Sequence, residues 1–253
     1  MIRGRPVIAI VPARGGSKGI PRKNLYRVGG RTLIERAADL GRGCAFVDRV
    51  YISTDDAEMY ELASTTGYAT PSPRPAKLAA DGTRTVEVIR NLAEEGVLPT
   101  DSCLLLLQPT SPLRTQADLD AVCRLLEAQW DNADMIVSTS EIDGPHPYKA
   151  QIVEHGFLKP LFQRDSAVPR QSLPKTFLAN GAFYLGKLDI LLQEDTFLPS
   201  RTLPFPMSAV QSVNLDGPLD LLLLEAILTK KLVALDDGAD SLSPPWSIPG
   251  LPS

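Results

Sequence analysis

Within thirteen residues near its start the chain places four cations, Arg14, Lys18, Arg22 and Lys23, among three glycines and two prolines: P-A-R-G-G-S-K-G-I-P-R-K-N at 12–24. That composition suits a phosphate chain. Glycines let backbone N–H groups approach the oxygens, and the cations neutralise them. The spacing is neither G-x-x-x-x-G-K-[ST] nor G-x-G-x-x-G, so it is not one of the common phosphate-loop patterns. The plainer reading is a basic surface loop after an edge strand. A second candidate is Asp216. A triphosphate held by Arg14, Lys18 and Lys23 would normally bring Mg²⁺, which takes one or two carboxylates plus phosphate oxygens. Asp216 is expected to end a strand at the same sheet edge and to reach that ion. Its plainer role is to cap the helix that Pro218 opens. Asp220, one turn on, opposes the helix dipole. His146 and His155 stand near no serine or cysteine in a nucleophile motif, so a hydrolase triad is unsupported.

The surrounding pattern says what must hold these groups. Val7–Val11 reads as a buried strand that breaks at Pro12. Thr32-x-x-Glu35 is a capping box, and Leu33, Ile34, Ala37 and Ala38 share one helical face. Val50–Ser53 is a second strand, followed by a helix capped by Asp55 or Asp56. A proline-spaced loop (Pro71, Pro73, Pro75) and a helix over Thr83–Gly96 follow. Ser102–Leu107 reads as a central strand ending in Q-P-T-S-P-L-R at 108–114. A helix from Gln116 to Trp130 and a strand at Met135–Thr139 complete an alternating order. Such an order implies α/β architecture, a mostly parallel sheet with helices on both faces. Ligands in these sheets bind at the carboxyl ends of the strands, where both unusual loops leave. The pattern changes at 143–171, which reads as an insertion. There Tyr148–Val153 and Phe157–Leu161 can pair around Gly156, either as a local hairpin or as an arm reaching a second subunit. Short strands are expected at Phe183–Leu185 and Ser212–Leu215. A Leu-rich helix over 219–231 follows, then a Ser/Pro-rich tail over 236–253.

At 253 residues and 43% hydrophobic composition the chain can bury a sizeable core, and 1–235 reads as one domain carrying the insertion. A net charge of −4 argues against a polyanion track and for a local anion site. Three cysteines, Cys44, Cys103 and Cys123, show no metal-ligand spacing, and no apolar run reaches membrane-spanning length. A reduced, cytoplasmic protein is expected.

Taken in order, P-A-R-G-G-S-K-G-I-P-R-K-N at 12–24, R-P-A-K-L-A-A-D at 74–81, L-Q-P-T-S-P-L-R at 107–114, N-G-A-F-Y at 180–184 and V-N-L-D-G-P-L-D-L at 213–221 resemble the acylneuraminate cytidylyltransferases. These are the CMP-sialic acid synthetases and their relatives for legionaminic and pseudaminic acid. The resemblance implies a three-layer, Rossmann-like nucleotidyltransferase fold and a homodimer joined through the insertion. It implies a reaction in which CTP and a nine-carbon 2-keto sugar acid give a CMP-sugar and pyrophosphate with Mg²⁺. By position, Arg14, Ser17, Lys18 and Lys23 would hold the triphosphate, with Arg14, Lys23 and Asp216 serving the chemistry. Asn24, Arg74 and Thr85 would contact ribose or cytosine. Gln108, Asn180 and Tyr184 would face the sugar acid, with Phe197 shaping the same pocket. Lys149 and Arg170 would reach into the neighbouring subunit's site. One departure stands out: the family's D-x-D is Asn214-Leu-Asp216 here, so one metal ligand would be a neutral amide. The alternatives are a different acid acceptor, such as an octulosonic acid or a phosphonate, and a CTP-binding homologue with impaired catalysis.

Overall fold

The computed structural model describes residues 1–17, 19–142, 144–162 and 168–233. Lys18 and the tail over 236–253 lie outside the described residues, as does the side chain of Arg170.

The first strand, β1 (Val7–Pro12), is apolar at nearly every position and buried on both faces, as a central parallel strand must be. A two-stranded ribbon, β2 (Arg27–Val28) and β3 (Arg31–Thr32), leads into α1 (Leu33–Gly43). The capping box there is present: Thr32 Oγ1 accepts from the Glu35 backbone N–H, and the Glu35 carboxylate accepts from that of Thr32. Then come β4 (Arg49–Ser53), α2 (Ala57–Thr66, capped by Asp56), α3 (Thr85–Glu94), β5 (Cys103–Leu106), α4 (Gln116–Ala128) and β6 (Met135–Glu141). The insertion supplies a hairpin, β7 (Gln151–Glu154) and β8 (Phe157–Pro160). It turns on His155 and Gly156, both at positive φ, as a tight two-residue turn requires. The chain closes with β9 (Phe177–Lys187), α5 (Leu188–Glu194), β10 (Thr202–Pro206) and α6 (Pro218–Thr229).

The six-stranded sheet has the order β10-β6-β9-β5-β1-β4. Every pairing is parallel except the two made by β9, which runs against β5 and β6. One core cluster packs residues of α1, α2 and α4 against one face of the sheet. A second packs α3 and α5 against the other. This is the expected three-layer arrangement, with β1, β4 and β5 ending at one edge. Cys44 and Cys123, distant in sequence, face each other inside the first cluster with their sulfurs 4.0 Å apart.

Two expectations need correction. Ser212–Leu215 is not a strand. It is irregular chain pinned above the sheet by the Leu215 N–H donating to the Thr110 carbonyl (2.8 Å), so Asp216 sits in a loop before α6 and not at a strand end. The strand that sequence reading missed is β10, T-L-P-F-P, whose prolines argue against a ladder position. It is an edge strand paired only with β6, where a missing N–H facing outward costs nothing.

Candidate active site

The loop after β1 is folded back by acidic residues of its neighbour. The Gly15 N–H donates to Asp55 (3.0 Å), and Arg22 pairs with Asp56 (2.9 Å) and with Glu58. Arg22 therefore anchors the loop to α2 and is not among the residues that line the cleft described next. Asn24 Nδ2 donates to the Arg14 carbonyl (3.0 Å) and closes the loop on itself. A Cβ at Gly19 would stand 1.9 Å from the Asp216 carbonyl oxygen, so only glycine lets this loop meet the loop that leads into α6. Lys23 completes that junction: its Nζ donates to the Leu215 carbonyl (2.6 Å) and pairs with Asp216 (3.1 Å).

These contacts open a cleft of about 530 Å³ at the carboxyl ends of β1, β4 and β5. Nine of the residues singled out from sequence line it: Arg14, Ser17, Lys23, Asn24, Arg74, Thr85, Gln108, Asn214 and Asp216. The cations are held ready by acids. Arg14 pairs with Asp81 across the cleft (2.8 Å), and Lys23 with Asp216. An incoming polyanion would exchange these half-exposed pairs, which are individually weak. Arg74 is mostly buried and grips Ser53 through both its side-chain oxygen and its carbonyl. Burial brings its pKa down to about 10 against the pull of Asp55, so it stays charged at neutral pH. Asp81, the counter-charge of Arg14, went unassigned in the sequence although R-P-A-K-L-A-A-D contains it.

Two predicted sugar contacts lie elsewhere. The pairing of β6 with β9 slips between Val137 and Thr139, which leaves Asn180–Phe183 as a bulge opposite Ser138. The Asn180 side chain lies inside that bulge. Its oxygen accepts from Ser138 Oγ (2.6 Å) and the Ala182 N–H (3.1 Å), and its amide donates to Ser212 Oγ (2.8 Å). The bulge's freed carbonyls are taken up by the 108–114 loop: Arg114 donates to Ala182 (2.8 Å) and Ser111 to Asn180 (3.4 Å). Gly181 adopts φ +82°, and a Cβ there would lie 2.5 Å from Gln108 Oε1. N-G-A-F-Y therefore seats Gln108. Tyr184 packs edge-on against Phe197 (5.4 Å between centroids) in the cluster under α3 and α5, and burial raises its phenol pKa. Lys149 is exposed on the short turn Pro147–Lys149 and does not border the cleft, and Arg170 opens the turn Arg170–Ser172.

Asn214 and Asp216, the pair expected from sequence to meet a metal, both line the cleft. Asn214 Nδ2 donates to Asp216 Oδ2 (2.7 Å), while the Asn214 carbonyl oxygen is buried without a hydrogen-bond partner. A carboxylate beside an amide oxygen with unmet hydrogen-bonding capacity is a hard-oxygen donor set of the kind Mg²⁺ takes together with phosphate oxygens. No cluster of three or more His, Cys, Asp or Glu side chains suited to a metal occurs among the described residues. No helix among them is long and apolar enough to cross a membrane.

Known proteins resemble this chain in sequence and in fold. The chain is 26% identical over 211 residues to an N-acylneuraminate cytidylyltransferase of Streptococcus agalactiae serotype V, which covers 83% of this chain and 50% of that protein. The chain thus spans about half the length of that relative. It is 26% identical over 238 residues to a CMP-N,N'-diacetyllegionaminic acid synthase of Legionella pneumophila, covering 92% and 98% of the two chains. Among solved structures, a CMP:2-keto-3-deoxy-manno-octonic acid synthetase complexed with CTP superposes with a TM-score of 0.62 at 17% identity, over 89% of this chain and 99% of that one, and shares the fold. The sequence profile of the cytidylyltransferases matches residues 8–201, and the chain belongs to that family.

Proposed function

We propose that this protein transfers CMP from CTP to a nine-carbon 2-keto sugar acid of the sialic acid type, releasing pyrophosphate. The observation that carries the reading is the junction of the basic loop with Asp216. Arg14, Ser17, Lys23 and Asp216 border one cleft together with Arg74, Thr85 and Gln108. Lys18 belongs to the same loop by sequence. In-line attack of the anomeric hydroxyl on the α-phosphorus needs positioning and charge neutralisation more than a covalent nucleophile. Arg14 and Lys23 supply the neutralisation, and Arg74 and Thr85 line the wall assigned to the nucleoside. Gln108, fixed by the Gly181 bulge, faces the acceptor side. The names of the Streptococcus and Legionella relatives support the acceptor class.

Asp216 and Asn214 would hold Mg²⁺, which would supply electrophilic activation of the α-phosphate. The amide at 214 lowers the negative charge of that site by one. It also donates to Asp216, a hydrogen bond that a carboxylate could not make. Asn214→Asp should therefore lower the Tm in EDTA, through carboxylate repulsion, and enlarge the Tm rise on adding Mg²⁺. Equal Mg²⁺ responses in the two proteins would refute this assignment of the metal.

The homodimer is proposed on the hairpin. Val153, Phe157 and Leu158 are each more than two-thirds exposed, an apolar surface that calls for a partner. A second copy would bring Lys149 and Arg170 toward this cleft, where a sugar carboxylate could meet a cation.

The deciding experiment is pyrophosphate release from CTP with Mg²⁺ against N-acetylneuraminic, legionaminic, pseudaminic and deaminated neuraminic acids, an octulosonic acid and a phosphonate, with ATP, GTP and UTP as controls. Turnover with CTP and one nonulosonic acid is expected, and Asp216→Ala should reduce it by orders of magnitude. Turnover only with the octulosonic acid or the phosphonate would move the acceptor class. CTP binding without turnover on any acceptor, restored by Asn214→Asp, would favour the impaired-homologue reading that the amide at 214 raises.

A further inference from the structure

Behind the 108–114 loop, on the side away from the CTP cleft, lies a second cavity of about 220 Å³ between α1 and the residues leading into α4. Its polar lining is lopsided. Among the described residues three arginines, Arg31, Arg36 and Arg114, border it together with one carboxylate, Asp39, and Arg36 already has a partner of its own. Asp39 is already engaged by Arg31 (3.3 Å), by Arg42 (3.2 Å) and by the Tyr68 hydroxyl (2.7 Å). Arg114 is 6% exposed. It makes one hydrogen bond, to the Ala182 carbonyl (2.8 Å), lies 5.8 Å over the Phe183 ring, and has no carboxylate partner. Burial, with the charge of Arg36 adding to it, draws its pKa down to about 9. A buried cation is ordinarily matched by an anion, because leaving it unmatched is costly. Here the match is missing on the protein side while a cavity stands open beside it. The remaining walls, Leu33, Ala37, Leu40, Pro109 and Pro112, are apolar.

We propose that this cavity is a second anion site, which takes a single carboxylate or phosphate group onto Arg114, with Arg31 and Arg36 at its mouth. It is too small for a nucleotide and the right size for one oxyanion with a short apolar stem. Pro109 lines both this cavity and the CTP cleft, and Gln108 and Thr110 flank it on the cleft side. An anion here therefore stiffens the loop that presents Gln108. The oxyanion has two sources. It is a free metabolite, or it is the chain's own acidic run, Asp236, Asp237 and Asp240. That run begins three residues beyond Val233, which packs in the cluster containing Leu33. The inference does not depend on the acceptor assigned above.

The test is thermal denaturation of the full chain in chloride buffer with inorganic phosphate, citrate or pyrophosphate, against KCl at matched ionic strength. The same series is run on Arg31→Gln/Arg36→Gln, on Lys23→Gln, and on Asp236→Asn/Asp237→Asn/Asp240→Asn. At a hundredfold excess over Kd a one-site anion should raise Tm by about 5–10 °C. The site predicts that the rise survives Lys23→Gln and disappears in Arg31→Gln/Arg36→Gln. A response present in the wild-type chain identifies a free anion as occupant. A response that emerges only when the three aspartates are neutralised identifies the chain's own carboxylates. The proposal is overturned if no anion exceeds KCl in any of these proteins. It is equally overturned if the response follows Lys23 and ignores the two arginines, because it then belongs to the CTP cleft.

Discussion

The tightest constraint on the cleft is Gly19, and it can be tested against a control in the same loop. An alanine Cβ at 19 would stand 1.9 Å from the Asp216 carbonyl oxygen, which is backbone and cannot rotate away. Carbon–oxygen contacts settle near 3.3 Å, so the two loops must part by roughly 1.4 Å. Lys23 holds the same junction through bonds of 2.6 and 3.1 Å, and a displacement of that size breaks both. Overpacking of this kind costs about 1–3 kcal/mol, or roughly 2–12 °C in Tm for a chain of this length. The larger effect is on positioning, where a displacement of about 1 Å is worth on the order of 100-fold in rate. Gly16→Ala is the control, since a Cβ there meets nothing within 4 Å. The assays are CTP-dependent thermal shift and, with whichever acceptor the panel identifies, pyrophosphate release. Gly19→Ala should lose both responses while Gly16→Ala keeps them. Equal behaviour of the two variants would refute the claim that contact between the loops shapes the cleft.

Away from the cleft, Asp134 is the hub of a buried ion network. It accepts from Arg201 (2.6 and 2.8 Å) and from the nearly buried Lys187 (2.9 Å). Asp134→Asn strands the Lys187 charge and should cost about 3–5 kcal/mol in urea unfolding; a loss below about 1 kcal/mol would mean that the lysine finds water. The same hydrogen bonds, from Arg201 first and Lys187 next, hold the Asp134 pKa below the ordinary carboxylate value. Its folded pKa lies below its unfolded one, so the stabilisation is complete above about pH 4 and is lost as pH falls through the folded value. Asp134→Asn should accordingly flatten the acid limb of a Tm-versus-pH curve, and an unaltered limb would contradict the assignment. On the hairpin, Phe157→Asp/Leu158→Asp should convert a dimer to a monomer in light scattering, since both side chains are exposed in the single chain. An unchanged mass would place the interface elsewhere.

What the sequence showed and what it hid follow from the range of the forces involved. β1 and β5 are continuous apolar runs, and Thr32-x-x-Glu35 is a local hydrogen-bonding pattern. Each was legible because its cause lies within a few residues. The basic loop was legible by composition, yet composition could not separate Arg22, which binds α2, from Arg14 and Lys23, which border the cleft. That distinction rests on Asp56 and Glu58, more than thirty positions away. β10 hid behind its prolines because edge position is a property of the whole sheet. Val213 and Leu215 imitated a strand, but both pack with α6 in the cluster that covers the loop. Asn180 was recognised as a conspicuous residue, but its place in the sheet was hidden. Nothing local says that the chain bulges at 180–183, since the slip is defined only against β6.

The antiparallel strand β9 has a consequence for the order in which the protein assembles. β4, β1 and β5 form one parallel half of the sheet, β6 and β10 form the other, and β9 alone joins them. During synthesis the apolar edge of β5 waits, unpaired, until the ribosome has made everything through Lys187, including the whole hairpin insertion. An open edge of buried leucines is the kind of surface on which nascent chains aggregate or recruit chaperones. Closing the sheet then means inserting β9 between β5 and β6, with β10 added to the outer edge of β6 afterwards. That step also draws Gly181 under Gln108, so Gln108 is seated at the cleft only when the sheet closes.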